Sequence, residues 1–366
     1  MVTVVKFGGS LLTSANDYLL AAKRVAELRE RKDVVVVVSA MKGVTSKLIK
    51  LIFSNDLRNG LVKVFSEHLD ILRAIRMPSE SSLKQVKSLM EEVLKVLESP
   101  EISTEAIKDE VISLGERLSI ILFKEALLKE GINAIALSGG EAGIFTDNNH
   151  GNAVPLFDEC LKTIPSSINP IIEVGAIPVV AGFTGITKDG RITTLGRGGS
   201  DLTASLIASA LKAKEILLFT NVPGIMTCDP SLLKDAKTLP KVSLEEANIM
   251  AKLRVKKFHP LTFYPLLQYK SSKMRVFIGK LNGVGTHVVK GKVPPPIKVV
   301  SKLGKDIVVV GHRAEVIEEF IKEVRSVNVA RISKFENYVV LSCDISLNGN
   351  RLLKLIHDAI LRMLEA

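Results

Sequence analysis

Gly196-Arg197-Gly198-Gly199-Ser200-Asp201 joins three features that suit an anion. Its three glycines let backbone come close to a ligand. The helix expected after it offers unpaired N–H groups and the positive end of a dipole. An arginine and an aspartate sit in the same turn. The other charges set beside it are Lys6, Glu116 and Lys256. Two lysines and an arginine suit a transferring phosphoryl group, and one carboxylate could hold the lysines in place or contact Mg²⁺. Backbone N–H groups of Gly8, Gly9 and the Ser39–Gly43 loop could form a phosphate cradle. No GxxxxGK[ST] occurs, and no GxGxxG follows a strand, so neither a Walker-A nor a Rossmann site is supported. No Ser-His-Asp triad or Cys-His pair stands out. The histidines lack metal-ligand spacing, and His259 beside Pro260 reads as structural.

These loops need elements to hold them. Val2–Phe7 is β-branched and ends at Gly8-Gly9, which predicts a strand. Tyr18, Ala21, Val25 and Leu28 fall at helical spacing. Asp33–Val38 is a continuous apolar run, as in a strand buried on both faces of a parallel sheet. Together they read as a βαβ unit. Residues 46–130 read as mostly helical, with stripes at Leu61/Phe65/Leu69/Leu72, Leu83/Val86/Met90/Val93/Leu97 and Ile107/Val111/Leu114/Leu118/Ile121. Within the third stripe, Gly115-Glu116-Arg117 taken alone reads as a solvated face. Strands resume at Ile132–Leu137 and Ile177–Phe183. Lys188–Arg191 is a hairpin turn, and a helix over 201–212 is expected with Ser200 as its N-cap. Further strands are expected at Glu215–Phe219 and near Arg275–Ile278. Gly-rich loops thus recur at strand C-terminal ends, where open α/β sheets bind ligands. Pro294-Pro295-Pro296 marks a linker over 291–298. The tail, 299–366, has a ferredoxin-like βαββα order: strands near 306–310, 327–332 and 337–343, and helices around Ile317/Phe320/Val324 and Leu353/Ile356/Ile360/Met363.

With 366 residues and 46% hydrophobic content, a large and a small domain are expected. No apolar run is long enough to span a membrane, and Met1–Lys6 does not open a secretory signal. Three scattered cysteines fit free thiols in a reducing cytoplasm. A net charge of +11 invites a nucleic-acid reading, but aromatic residues are only 5% and the lysines are scattered. An enzyme for small anions would also be basic.

Taken together, Lys6-Phe7-Gly8-Gly9-Ser10, Val38-Ser39-Ala40-Met41 with Gly43-Val44-Thr45, Leu114-Gly115-Glu116-Arg117-Leu118-Ser119, and Thr194–Asp201 resemble the aspartate kinases. So does Thr220-Asn221-Val222-Pro223-Gly224-Ile225, continuing to Asp229-Pro230. The likeness runs over about 1–290 and includes the helical insertion at 46–130. It implies an amino-acid-kinase fold: an open, mostly parallel sheet with helices on both faces. The tail resembles a single, shortened ACT domain, similar at Leu355-Ile356-His357-Asp358-Ala359.

The resemblance implies ATP-dependent phosphorylation of the L-aspartate side chain to 4-phospho-L-aspartate, with Mg²⁺. That is the first step toward lysine, threonine and methionine. The nucleophile is already ionised at neutral pH, since an aspartate side chain titrates at about 3.9. Lys6 would stabilise the γ-phosphoryl oxygens, with Gly8, Gly9 and Ser10 donating to it. Ser39, Thr45, Gly198, Gly199 and Ser200 would line the aspartate site. Glu116 would receive the substrate ammonium and Arg197 its α-carboxylate. Asp201 would orient the lysines. Thr220, Asn221, Gly224, Met226 and Lys256 would hold the nucleotide. Asn221, Met226, Ser231 and Arg254 depart from the usual pattern, all on the nucleotide side. A homodimer or higher homo-oligomer through the ACT-like region is implied. The alternatives are a non-catalytic amino-acid sensor and a sister amino-acid kinase.

Overall fold

The computed structural model describes residues 1–99, 101–255, 258–268, 274–313, 316–317, 329–343 and 346–365, without the side chains of 330, 343 and 346–349. It forms two compact units, Met1–Asn221 and Val222–Ala366.

The first unit runs β1 (Val2–Phe7), α1 (Ala15–Arg29), β2 (Asp33–Val38), α2 (Val44–Ile52), α3 (Leu57–Ile75), α4 (Glu80–Glu98), α5 (Thr104–Lys129) and β3 (Ala134–Leu137). It continues with α6 (Phe157–Glu173), β4 (Ile177–Ala181), the β5 (Thr184–Ile186) and β6 (Ile192–Thr194) hairpin, α7 (Gly199–Ala210) and β7 (Glu215–Phe219). Five strands in the order β3-β4-β2-β1-β7 pair in parallel. Val4, Val5 and Val34–Val38 are buried, as continuous apolar runs require. Phe7 pairs with both Val38 and Phe219, so the three central strands end level. The loops beyond are stitched at that edge. Gly8 N donates to Phe219 O, Ser39 N to Phe7 O and Gly182 N to Val38 O.

The 26-residue α5 crosses this unit, packing against α1–α4 and against β2, β3 and β4. Gly115, Glu116 and Arg117 are buried, so the solvated-face expectation is wrong. A Cβ at Gly115 would lie 2.7 Å from Ala40 Cβ; glycine is what lets the helix meet the 39–43 loop. Arg117 is paired inside with Glu110 and Glu92. In α4 the inward residues are Ser82, Val86 and Val93, while Leu83 is exposed. Ser82 N and Oγ both bond Ser79 Oγ, which anchors that turn inward. α6 has no counterpart in the expected elements, because Pro165 and Pro170 interrupt its pattern; Cys160, Ile164 and Ile168 form its buried face. α7 begins two residues before its expected start. Its N-cap is Gly198 at φ +83°, not Ser200, because the left-handed turn there needs glycine.

The second unit contains β8 (Lys241–Ser243), α8 (Leu244–Lys252), α9 (Tyr264–Gln268), β9 (Arg275–Gly279) and β10 (Gly285–Val289). Then come β11 (Val299–Leu303), β12 (Asp306–Val310), β13 (Val329–Phe335), β14 (Tyr338–Cys343) and α10 (Ser346–Glu365). β10 pairs antiparallel with β9 and parallel with β8. β11-β12-β14-β13 form an antiparallel sheet, with β11 an addition to the expected strands. Ile317 is buried, whereas Phe320 and Val324 of the expected helix lie outside the described residues. The tail core includes Cys228 beside Val300, Ile307, Val339 and Ile356. After the proline run, Lys298 is fully buried, 2.7 Å from Glu246 on α8. Glu246 also completes a capping box with Ser243.

Candidate active site

A cleft of about 600 Å³ opens over the level ends of β1 and β2. Lys6, the penultimate residue of β1, reaches it and meets Asp201 of α7 at 2.7 Å, with each side chain 11% exposed. Their positions follow from strand geometry and helix start. β1 carries the lysine to the sheet edge, and the Gly198 turn aims the first turn of α7 at it. Gly9 is required where it stands, since a Cβ would come 2.4 Å from Ala40 O. Gly8 lies behind the lysine, where a Cβ would be 3.3 Å from Lys6 Nζ. Ser10 sits in the short 3-10 turn Gly9–Leu11 and lines the cleft.

The second wall is the 39–45 loop and α5. Ser39 Oγ donates to Ser200 Oγ at 2.9 Å. That approach needs Gly182, where a Cβ would lie 2.7 Å from Ser200 Cβ. Thr45 lies in the first turn of α2, after Gly43 at φ +86°. Glu116 accepts from Ala40 N at 3.0 Å through Oε1. Its Oε2 is buried with no hydrogen-bond partner among the described residues. Desolvation pushes its carboxyl up to about 8, against the pull of the Ala40 N–H. Glu116 lines the cleft, and a buried carboxyl with an unused oxygen can take a cation as its partner. Opposite in charge, Arg197 is exposed, lines the same cleft and has no ion pair among the described residues.

The cleft therefore unites Lys6, Gly9, Ser10, Ser39, Thr45, Glu116, Arg197, Gly198, Gly199, Ser200 and Asp201. Thr220 and Asn221 follow β7 but do not line it. Gly224 and Met226 belong to the second unit. There Gly224, at φ +107°, allows an approach in which a Cβ would lie 2.5 Å from Thr286 Oγ1. Lys256 lies outside the described residues.

Sequence reasoning missed two residues. Lys42 adds a third cation to the lining. Asp109, fully buried on α5, ties three pieces together. It accepts from Gly151 N at 2.9 Å, Thr194 N at 3.1 Å, Thr194 Oγ1 at 2.5 Å and His150 Nδ1 at 2.9 Å. Thr194 ends β6, two residues before the 196–201 turn begins. The signal was present: Asp109 precedes Glu116 by two helical turns, so both occupy one face of α5.

Comparison with known proteins adds an independent line. Residues 1–280 match the amino acid kinase family. Aspartokinase of Geobacillus stearothermophilus is 34% identical over 260 residues, covering 71% of this chain and 52% of that protein. Aspartokinase 2 of Bacillus subtilis is 34% identical over 258 residues, covering 70% of this chain and 51% of that one. The chain thus spans about half the length of the curated relatives it matches. Among solved structures, E. coli aspartokinase III with aspartate and ADP, in its R-state, superposes with a TM-score of 0.74 at 28% identity. That match covers 94% of this chain and 79% of the other. The lysine- and aspartate-bound T-state of the same enzyme gives 0.69, covering 98% and 83%.

Proposed function

The chain belongs to the amino acid kinase family, and on that premise we propose that it is an aspartate kinase, transferring the γ-phosphoryl group of ATP to the side-chain carboxylate of L-aspartate. One observation carries the choice of substrate. Glu116 offers a buried, unpartnered carboxylate oxygen in the cleft that Arg197 also lines. An α-amino acid brings the matching ammonium and α-carboxylate. Fixing both ends leaves its side-chain carboxylate free to turn toward Lys6. The aspartokinase structure solved with aspartate and ADP supports this reading.

The chemistry asks little of the protein beyond placement and charge. A side-chain carboxylate oxygen of aspartate forms a bond to the γ-phosphorus. The bond from that phosphorus to the bridging oxygen breaks, and ADP leaves with the electron pair. No proton is removed, because the nucleophile titrates at about 3.9. Lys6 neutralises charge on the γ-phosphoryl oxygens, and Asp201 holds its ammonium in place. Backbone N–H groups of Gly9 and Ser10 offer donors to phosphate oxygens, with Gly8 keeping the loop close to Lys6. Ser39, Thr45 and Ser200 bound the space for the amino acid, with Gly198 and Gly199 shaping the turn. Thr220 and Asn221 are assigned to the nucleotide.

Mg²⁺ that accompanies ATP supplies further neutralisation of the phosphates. Asp201, a carboxylate lining the cleft beside Lys6, is the residue suited to share it. We assign the chain to the cytoplasm, consistent with Cys160 and Cys228, both buried thiols. We further infer a homodimer through the tail sheet. Its edge strand β13 carries Phe335, which is 49% exposed. Light scattering on Phe335→Glu should show dissociation.

The deciding measurement is ADP release coupled to a spectrophotometric readout. L-aspartate should support it; L-glutamate and N-acetylglutamate should not. Turnover only with a control substrate would move the chain to a sister kinase. No turnover with any, while L-aspartate still binds, would make it a sensor.

A further inference from the structure

In the second unit, α10 buries His357 completely. The two ring nitrogens face different surroundings. Nε2 lies 2.8 Å from Thr227 Oγ1, which also accepts from Lys237 N at 3.0 Å. Nδ1 is buried and has no hydrogen-bond partner among the described residues. It looks toward Asp235 Oδ1 across 3.7 Å. One donor atom from each of Asp235, His357 and Asp358 lies within 4.8 Å of the other two. Asp235 is half exposed, so an ion can enter from solvent.

A gap of 3.7 Å is too long for a hydrogen bond. It matches two ligands that each sit about 2.1 Å from one ion, at an angle of about 120°. We propose that Asp235, His357 and Asp358 form a site for a divalent transition ion of the Zn²⁺ type, its shell completed by water. One imidazole nitrogen with two carboxylates favours Zn²⁺, Co²⁺ or Mn²⁺. Three protein ligands are too few for Ca²⁺, and Mg²⁺ sheds its water reluctantly. Thr227 acts as the partner that metal-bound imidazoles usually have on their second nitrogen.

The ion would fasten α10 to the 229–236 segment. That segment already packs on the tail core through Leu233 and Ala236. The consequence is a tail whose stability depends on metal, independent of phosphoryl transfer.

The test uses the full, untagged chain after dialysis against chelator. Co²⁺ is titrated at neutral pH, and its visible ligand-field absorption is followed. The expected result is a saturable band at one ion per chain, displaced by Zn²⁺ and unaffected by millimolar Mg²⁺. Asp235→Asn and Asp358→Asn should each weaken binding about 10- to 100-fold. Both should remove the rise in melting temperature that Zn²⁺ gives the parent protein. Asp235 is the variant least able to disturb folding, being half exposed. Absence of a one-to-one band in the parent protein overturns the proposal. So does equal affinity in the parent and both variants.

Discussion

Burial penalises the charged form of Glu116, and a proton or a cationic partner relieves that penalty. Burial holds its carboxyl at about 8, against an ordinary value near 4.5. Between these two values the folded protein keeps a proton that the unfolded chain releases. Stability from this group is therefore full below about 4.5 and lost as pH rises through about 8. The ligand-free protein should melt at lower temperature as pH increases across that window, and Glu116→Gln should flatten the trend. Substrate binding runs the opposite way, because an ammonium needs the ionised carboxylate. The KM for aspartate should fall up to about tenfold per pH unit on approach to pH 8. Glu116→Gln should raise KM about 10- to 150-fold, the worth of a hydrogen bond to a charged group, and erase its pH dependence. An unchanged KM would remove the residue from the substrate site. Lys6→Met belongs to the other half of the chemistry. It should lower kcat about 100- to 1,000-fold with a much smaller change in aspartate KM.

At the scale of elements, α5 makes the site by holding two loops at once. Gly115 sets its approach to the 39–43 loop, and Asp109 ties it to the end of β6. Helix propensity alone says Gly115→Ala should stabilise by about 1 kcal/mol. The 2.7 Å contact with Ala40 Cβ says otherwise. Overpacking a filled interior costs about 1–3 kcal/mol, so the net change should be a loss and urea denaturation should show it. Asp109→Asn keeps the volume but cannot accept at every position it now serves. It should raise aspartate KM by loosening the turn that carries Arg197, while the nucleotide KM stays near its parent value. The central strands, the Gly-rich loops at their ends and most of the cleft were legible because each has a local signature. β-branched runs end in glycine, and charges stand beside those glycines. What was illegible depends on tertiary approach. Gly115 resembles a defect until Ala40 is seen beneath it. α6 is hidden by two prolines, and Leu83 yields its inward place to Ser82. Ser200 has the right chemistry for a cap, yet Gly198 takes that position because the backbone turns left-handed there.

For the whole molecule, the proline run reads as a linker over 291–298, ahead of the tail. Lys298, two residues after its last proline, is firmly held. Its ammonium lies 2.7 Å from Glu246 Oε1 and also donates to Pro295 O at 2.7 Å, with both side chains of the ion pair essentially sealed from water. Glu246 serves α8 as well, accepting from Ser243 N at 2.8 Å, and receives His312 N at 3.1 Å. One carboxylate therefore joins the start of α8 to both ends of the β11-β12 hairpin. Removing the lysine would leave that carboxylate buried without its cation, a loss of about 3–5 kcal/mol. Lys298→Met keeps the volume and isolates this effect. A tail hung on a free linker would lose protection only within residues 299–366. Because the described residues of 222–366 form one compact unit, hydrogen exchange in Lys298→Met should accelerate in β8 and α8 as well as in the tail sheet. Protection of β1 and β2 in the first unit should remain at its parent level. Acceleration confined to the tail would favour a free linker.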